Sequence, residues 1–243
     1  MNMDIQATRA FAYEAAYHVD LENSLLKKLE LGDVPQDKDL LKQMRQDSRK
    51  LKRVNALLTP MAKYLCSEMC NRVTYDSIQV HGGSGFMRDY PVERYARDAR
   101  ITTIYEGTSQ LQIVAAVRGV MSGTAQKRLE IFAQCEYQED LAPLAQKLAD
   151  VLPLLAEAVA FVKEQGNEYM ELHGRQLVDI ASDLYMAYLL LNQARHSQEK
   201  LTVAGRYIIE IVPRVKYKYE LIRSGDRSSL DCFETLAGPV PTE

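Results

Sequence analysis

Apolar residues recur along this chain at the three- and four-residue spacing of helices that bury one face. Between residues 4 and 30, Ile5, Thr8, Ala12, Ala15, Val19, Leu25 and Leu29 lie near one face, alanine is abundant and no proline interrupts. Gly32-Asp33-Val34-Pro35 ends that helix. Residues 38–56 are strongly charged yet helix-forming, with Leu40, Leu41, Met44, Leu51 and Val54 as a thin apolar stripe. Pro60 then kinks the helix or starts another, which continues through Leu65, Met69, Val73 and Gln79. Two more helices are predicted, at 91–105 and 109–122.

Residues 124–225 predict three further amphipathic helices. The first carries Leu141, Leu144, Leu148, Leu152, Leu155, Val159 and Val162 at near-heptad spacing and stops at Gly166-Asn167. The second carries Leu172, Leu177, Ile180, Leu184, Tyr188 and Leu191. The third carries Leu201, Ala204, Ile208, Ile211, Val215, Tyr219 and Ile222, with Pro213 as an expected kink, and stops at Ser224-Gly225-Asp226. Tyr185, Tyr188, Tyr207, Tyr217 and Tyr219 flank these stripes and are expected to leave amphipathic surface for a subunit interface. Arg214, Lys216, Lys218 and Arg223 suggest a competing face that docks a membrane or an electron acceptor, or simply a solvated face. Glu210, Glu220 and Asp226 interrupt them, which favours the interface. The tail ending in Gly238-Pro239-Val240-Pro241 reads as flexible.

The expected fold class is all-α. The 243 residues suffice for one large or two small domains, here divided as 1–122, an extension at 123–225 and a tail at 226–243. A net charge of −3 without a basic stripe gives no sign of a nucleic-acid partner. Cys66, Cys70, Cys135 and Cys232 lack the histidine or second cysteine pair of a zinc site, so no metal is expected. They read as small buried hydrophobes in a reducing compartment, and the expected location is the cytoplasm. Met1-Asn-Met-Asp-Ile does not read as a signal sequence, and the apolar run Leu184–Leu191 is too short to span a bilayer. His173 and His196 have no partners at ligand spacing and read as surface or packing residues.

The densest local chemistry lies at residues 79–110. Gln79-Val80-His81-Gly82-Gly83-Ser84-Gly85 closes the preceding helix with three glycines, which permit positive φ and close approach to the backbone. Tyr90-Pro91 opens a helix in which Glu93, Arg94, Arg97, Asp98 and Arg100 can pair at i,i+3 and i,i+4. Gly107 breaks that helix, and Thr108 or Ser109 can cap the next. Glu106 therefore stands at a junction between two helices. A glutamate before a glycine is more often a solvated helix end than a functional group.

Taken together, Gln79, Gly82-Gly83, Tyr90-Pro91-Val92-Glu93-Arg94, Arg97-Asp98-Ala99 and Tyr105-Glu106-Gly107-Thr108-Ser109-Gln110 change that weighting. In this order and at this spacing they resemble the C-terminal domain of the flavin-dependent acyl-CoA dehydrogenases. Each piece alone is weak; the combination is specific. His81 departs from the apolar residue usual before the two glycines. The resemblance covers roughly residues 1–120 and implies a C-terminal four-helix bundle lacking its first helix. It thus implies a C-terminal piece of a longer enzyme, inactive and without flavin by itself.

The implied reaction oxidises an acyl-CoA thioester to its trans-2-enoyl form, a base taking the α proton while hydride leaves the β carbon for FAD. The resemblance makes Glu106 that base and has its backbone N–H polarise the thioester carbonyl. A carboxylate of ordinary pKa, about 4.3, is too weak a base, so burial beside flavin and acyl chain is expected to raise it. Gly107 is implied to lie against substrate, and Thr108, Ser109 and Gln110 to contact FAD. Gln79, Val80, His81, Gly82 and Gly83 are implied to contact the FAD of a neighbouring subunit. The implied partners are acyl-CoA, an electron-transfer flavoprotein or similar acceptor, and further copies of the chain. The second reading is a helical interaction module that keeps the bundle without cofactor or catalysis.

Overall fold

The structure, a computed structural model, describes residues 1–138 and 140–238; Pro239-Val240-Pro241 of the expected tail lie outside them. Among the described residues all regular structure is helical. Helix α1 (Asn2–Glu30) buries Ala7, Thr8, Ala10, Phe11, Ala15 and His18 at helical spacing. It lies antiparallel to α2 (Lys38–His81): Arg72 meets Asp4 at 3.1 Å, while the Asn55 amide donates to the His18 carbonyl at 3.0 Å. Asp37 caps α2, its carboxylate accepting from the amides of Asp39 and Leu40.

Helix α2 runs unbroken through Pro60, so no second helix begins there. Proline removes one backbone hydrogen bond. The fully buried Leu57, Leu58 and Met61 on either side hold the turn against that loss. Before Val54 the helix has no buried residue, and Leu40 of the expected apolar stripe is exposed.

Helices α3 (Gly83–Phe86), α4 (Val92–Ile101) and α5 (Ser109–Met121) follow. The extension contains α6 (Thr124–Ala133), α7 (Ala142–Gln165), α8 (Asn167–Ala194) and α9 (Gln198–Arg223). Two single turns, α10 (Ser228–Asp231) and α11 (Phe233–Ala237), come last. Helix α6 is additional to the three expected here; with only Ala125 and Leu129 buried, it has too short a stripe for periodicity to reveal.

Helix α8 organises the packing. Contacts run from α1 to α2, α2 to α5, α5 to α8 and α8 back to α1, a closed four-helix ring. The same α8 packs with α7 and α9 on its other side. Between Leu177 and Leu191 it is buried nearly all round, as a helix enclosed on all sides must be. One cluster of buried residues consequently extends from Ala7 to Ile222.

This arrangement corrects the reading of the tyrosines. Tyr185, Tyr188 and Tyr207 are core residues; only Tyr217 is well exposed. Tyr185 packs edge-on against Phe11 and Phe132 and donates its hydroxyl hydrogen bond to Glu14 at 3.0 Å. Tyr188 lies parallel to Phe132, its hydroxyl buried without a partner, and burial pushes its pKa up to about 12. Tyr188→Phe is therefore expected to leave stability unchanged or raise it by up to about 1 kcal/mol, since an unsatisfied hydroxyl is removed without a cavity. Urea unfolding of the variant checks this.

The charges on α9 are equally engaged. Arg214 and Lys218 bind Asp183 within the fold, and Arg223 lies 4.5 Å over the Phe161 ring, leaving Lys216 exposed. The cysteines are free: Cys66, Cys70 and Cys135 are half-buried and Cys232 is exposed, so none is fully buried as expected. Among the described residues no helix is long and apolar enough to cross a membrane.

His173 is a packing residue, its ring 4.4 Å from that of Tyr169, whereas His196 is exposed. Burial lowers the His173 pKa, although the Asp226 backbone and carboxylate pull the other way. A histidine whose folded pKa is depressed supports folding above its unfolded value, about 6.5, and loses that support as pH falls through the folded value. Thermal melts between about pH 7 and 5 should show destabilisation on acidification that His173→Phe reduces.

Candidate functional site

The site is assembled on one face of α2. Lys63, Glu68 and Asn71 break the apolar pattern at helical spacing and point to the α4–α5 connection. Helix α4 is predicted to reach residue 105 but ends at Ile101. Polar groups of α2 bind the carbonyls at this helix end: Asn71 Nδ2 donates to Ala99 O at 2.9 Å, and Lys63 Nζ donates to Thr102 O at 2.8 Å. Within α4, Glu93 and Arg97 form the expected i,i+4 pair at 3.0 Å.

The chain then turns back through residues 102–107. Glu106 has φ +53°, the one non-glycine residue at positive φ among those described, and Gly107 follows at φ +98°. Such backbone is sparsely populated by side-chain-bearing residues and requires surrounding contacts to hold it. Lys63 Nζ donates to Gly107 O at 2.8 Å and Gln112 Nε2 donates to Glu106 O at 3.2 Å. The Glu106 side chain is exposed.

Helix α5 starts on Thr108, whose Oγ1 accepts from the Leu111 amide at 3.3 Å. The buried Ser109 donates its hydroxyl hydrogen bond to Glu68 Oε1 at 2.5 Å, and its amide donates to Thr103 O at 3.1 Å. Thr108, Ser109 and Gln110 thereby line a cleft of about 450 Å³ together with Glu68, Asn71, Arg100, Thr103 and Ile104. Glu106 and Gly107 belong to the adjoining turn but do not line this cleft.

Gln79, Val80, His81, Gly82 and Gly83 are all exposed and lie farther along α2, the first of them about 12 Å beyond Asn71 at 1.5 Å per residue. The structure thus brings Thr108–Gln110 together with α2 and leaves 79–83 apart from them. Of the three glycines near this corner only Gly82 adopts positive φ, at +61°. Gly85 instead permits close packing: a Cβ there would sit 2.7 Å from His81 Cβ and 2.8 Å from Ile78 O. Lys63, Glu68 and Asn71 were not anticipated, although their polar stripe on a helix otherwise buried by Leu57, Leu58, Met61 and Tyr64 was the available signal.

Comparison with known proteins agrees with this architecture. Residues 40–121 match the family described as acyl-CoA dehydrogenase, C-terminal domain, and residues 121–216 match acyl-CoA dehydrogenase C terminal. A caffeyl-CoA reductase–Etf complex subunit from Acetobacterium woodii is 54% identical over 52 residues, 21% of this chain and 14% of that protein. A broad-specificity linear acyl-CoA dehydrogenase from Mycobacterium tuberculosis is 28% identical over 165 residues, 61% of this chain and 27% of that protein. Among solved structures, Caenorhabditis elegans ACDH-11 in complex with C11-CoA superposes with a TM-score of 0.65 at 20% identity, covering 93% of this chain and 39% of that one. An acyl-CoA dehydrogenase complexed with FAD from Bacillus anthracis gives 0.63 at 20% identity, covering 99% of this chain and 45% of that one. The matched segment is thus a minor part of each of these proteins, and at that identity the solved structures speak for the fold alone. The chain belongs to the acyl-CoA dehydrogenase family.

Proposed function

We propose that this chain forms the C-terminal helical part of a flavin-dependent acyl-CoA dehydrogenase and contributes its catalytic base, Glu106. The observation that carries the proposal is the left-handed backbone at Glu106, held from Lys63 and Gln112 within a turn that matches the family's motif. Strained backbone over-determined by its surroundings is concentrated at active sites and ligand clamps.

The residues present suit one side of a flavin. The cleft beside Thr108, Ser109 and Gln110 is polar and offers the N-terminus of α5, with Asn71, Arg100 and Gln110 as donors. The exposed Gly82 and Gly83 present backbone without side chains, which suits contact with the FAD of a neighbouring subunit. FAD, when bound, accepts the hydride that leaves the substrate's β carbon. The chain's own part is the proton: the Glu106 carboxylate takes it from the α carbon, and the Glu106 N–H donates to the thioester oxygen as negative charge gathers there. Here the carboxylate is open to solvent, so the acyl chain itself would have to exclude water from it and make it a stronger base.

The name of the Acetobacterium woodii relative supports an electron-transfer flavoprotein as redox partner. For the extension, the α8-closed ring supports a packing role; its exposed Ile131, Ile209, Tyr217 and Leu221 are apolar surface that a subunit interface could use. The test of the function is anaerobic mixing of the FAD-loaded enzyme carrying this chain with saturated acyl-CoA. Loss of oxidised-flavin absorbance with formation of 2-enoyl-CoA is the expected result. A flavin that binds but stays oxidised with acyl-CoA of every chain length would refute the proposal.

A further inference from the structure

Lys63 lies outside the motif that singles out Glu106, yet its side chain reaches into that motif. The half-buried ammonium donates to Thr102 O at 2.8 Å and to Gly107 O at 2.8 Å, and stands 5.7 Å from the centre of the Tyr105 ring. These two carbonyls are the two ends of the turn that contains Glu106. Two carbonyl dipoles that converge repel each other unless a donor lies between them. An ammonium satisfies both at once, and hydrogen bonds from a charged donor are about twice as strong as neutral ones.

Glu106 follows from this closure. With Thr102 O and Gly107 O drawn to one nitrogen, the intervening chain has few ways to close. Gly107 takes φ +98°, which costs glycine little, and Glu106 takes φ +53°, which a glutamate adopts reluctantly. Gln112 adds a second hold by donating to Glu106 O. Neither contact involves the Glu106 carboxylate, which stays available for chemistry.

We infer that Lys63 is the positioning residue of Glu106: its ammonium clamps the 102–107 turn shut and so fixes where the Glu106 carboxylate and backbone N–H point. The catalytic meaning of the clamp rests on the reading of Glu106 as the base; the clamp itself does not. Lys63 reaches substrate only through the turn, so its loss should lower kcat while KM for acyl-CoA changes little.

The test uses the full 243-residue chain, isotopically labelled, as wild type, Lys63→Met and Lys63→Arg. Methionine keeps the unbranched apolar stem of lysine without its ammonium; arginine restores a cation with several donors. Two readouts are taken by NMR: the Glu106 couplings that report the sign of φ, and exchange of the Tyr105 and Ser109 amides, which donate to Ile101 O and Thr103 O. In Lys63→Met, Glu106 should lose its positive φ and both amides should exchange about 10–100-fold faster, because the turn opens locally. Amides of α7–α9 should keep their protection, and Lys63→Arg should recover most of both signals. Unchanged coupling and exchange in Lys63→Met would overturn the clamp, and so would equal loss of protection throughout α7–α9. The kinetic arm separates the two claims. Turn opening in Lys63→Met supports the clamp even if Glu106→Gln keeps full activity, an outcome that would sink only the assignment of the base.

Discussion

Glu106→Gln is expected to leave FAD bound at full stoichiometry and to slow its reduction by acyl-CoA by about 10²–10⁴-fold, the usual cost of losing a positioned general base. Glutamine keeps the size and shape of the side chain and removes only its basicity. The fold should tolerate the change, because the turn is held through the carbonyls of Thr102, Glu106 and Gly107 rather than through the carboxylate. Glu106→Gly separates function from stability more sharply. It should lose activity to the same extent or more, yet gain about 1 kcal/mol of stability, because glycine adopts φ +53° without the cost a side chain brings. Rapid-mixing absorbance measures the first effect and chemical unfolding the second. Reduction of either variant at near wild-type rate would remove Glu106 from the mechanism.

The largest expected stability effect is at Asp183, between α8 and α9. Its carboxylate accepts from Arg214 Nε at 2.8 Å and Nη2 at 2.7 Å, and from Lys218 Nζ at 3.2 Å. Burial works against the charge on Arg214, but the Asp183 carboxylate, together with Tyr207 and Asp4 behind it, holds the guanidinium pKa above its usual value. Lys218 also meets Asp179 at 3.2 Å, and Asp179 accepts from the Tyr64 hydroxyl at 2.8 Å, which ties the cluster to the same helix that carries Lys63. Asp183→Leu strands Arg214, and leaves Lys218 with Asp179 alone, at a site where the carboxylate is only 8% exposed. Breaking a buried pair costs about 3–5 kcal/mol; the lower end applies, since Arg214 is 35% exposed and partly screened. That corresponds to a fall in melting temperature of about 6–12 °C for a chain of this size. The triple change Asp183→Leu, Arg214→Leu, Lys218→Met should recover most of the loss, because apolar groups of similar volume can replace buried ions. A triple variant as unstable as the single one would show that packing, not charge, sets the cost.

Much of this fold is legible in the sequence because its helices have single apolar stripes. The stripe from Leu148 to Val162 became the buried face of α7, and Ala204, Ile208, Ile211, Val215 and Ile222 that of α9. The tyrosines of α8 and α9 were misread because periodicity cannot distinguish a flank from a second buried face. Helix α8 is enclosed by neighbours on both sides, so Tyr185 and Tyr188 had no solvent to face. At Pro60 only the alternative of a new helix is overturned, for a related reason: the local cost of proline was visible, the tertiary packing that offsets it was not. At the site, the motif located Glu106 and the Thr108 cap. It did not reveal the positive φ of Glu106, which depends on Lys63, forty-four residues from Gly107 in sequence and adjacent to it in space.

The central claim is that Glu106 removes the substrate's α proton, and proton removal can be measured apart from hydride transfer. The FAD-loaded enzyme is incubated in deuterated water with an acyl-CoA analogue whose β position has no hydride to give, and deuterium at C2 is followed by mass spectrometry. The account predicts steady C2 exchange with wild-type Glu106 and its loss, by about 10²-fold or more, in Glu106→Gln with flavin still bound. Exchange at an undiminished rate in Glu106→Gln would contradict it.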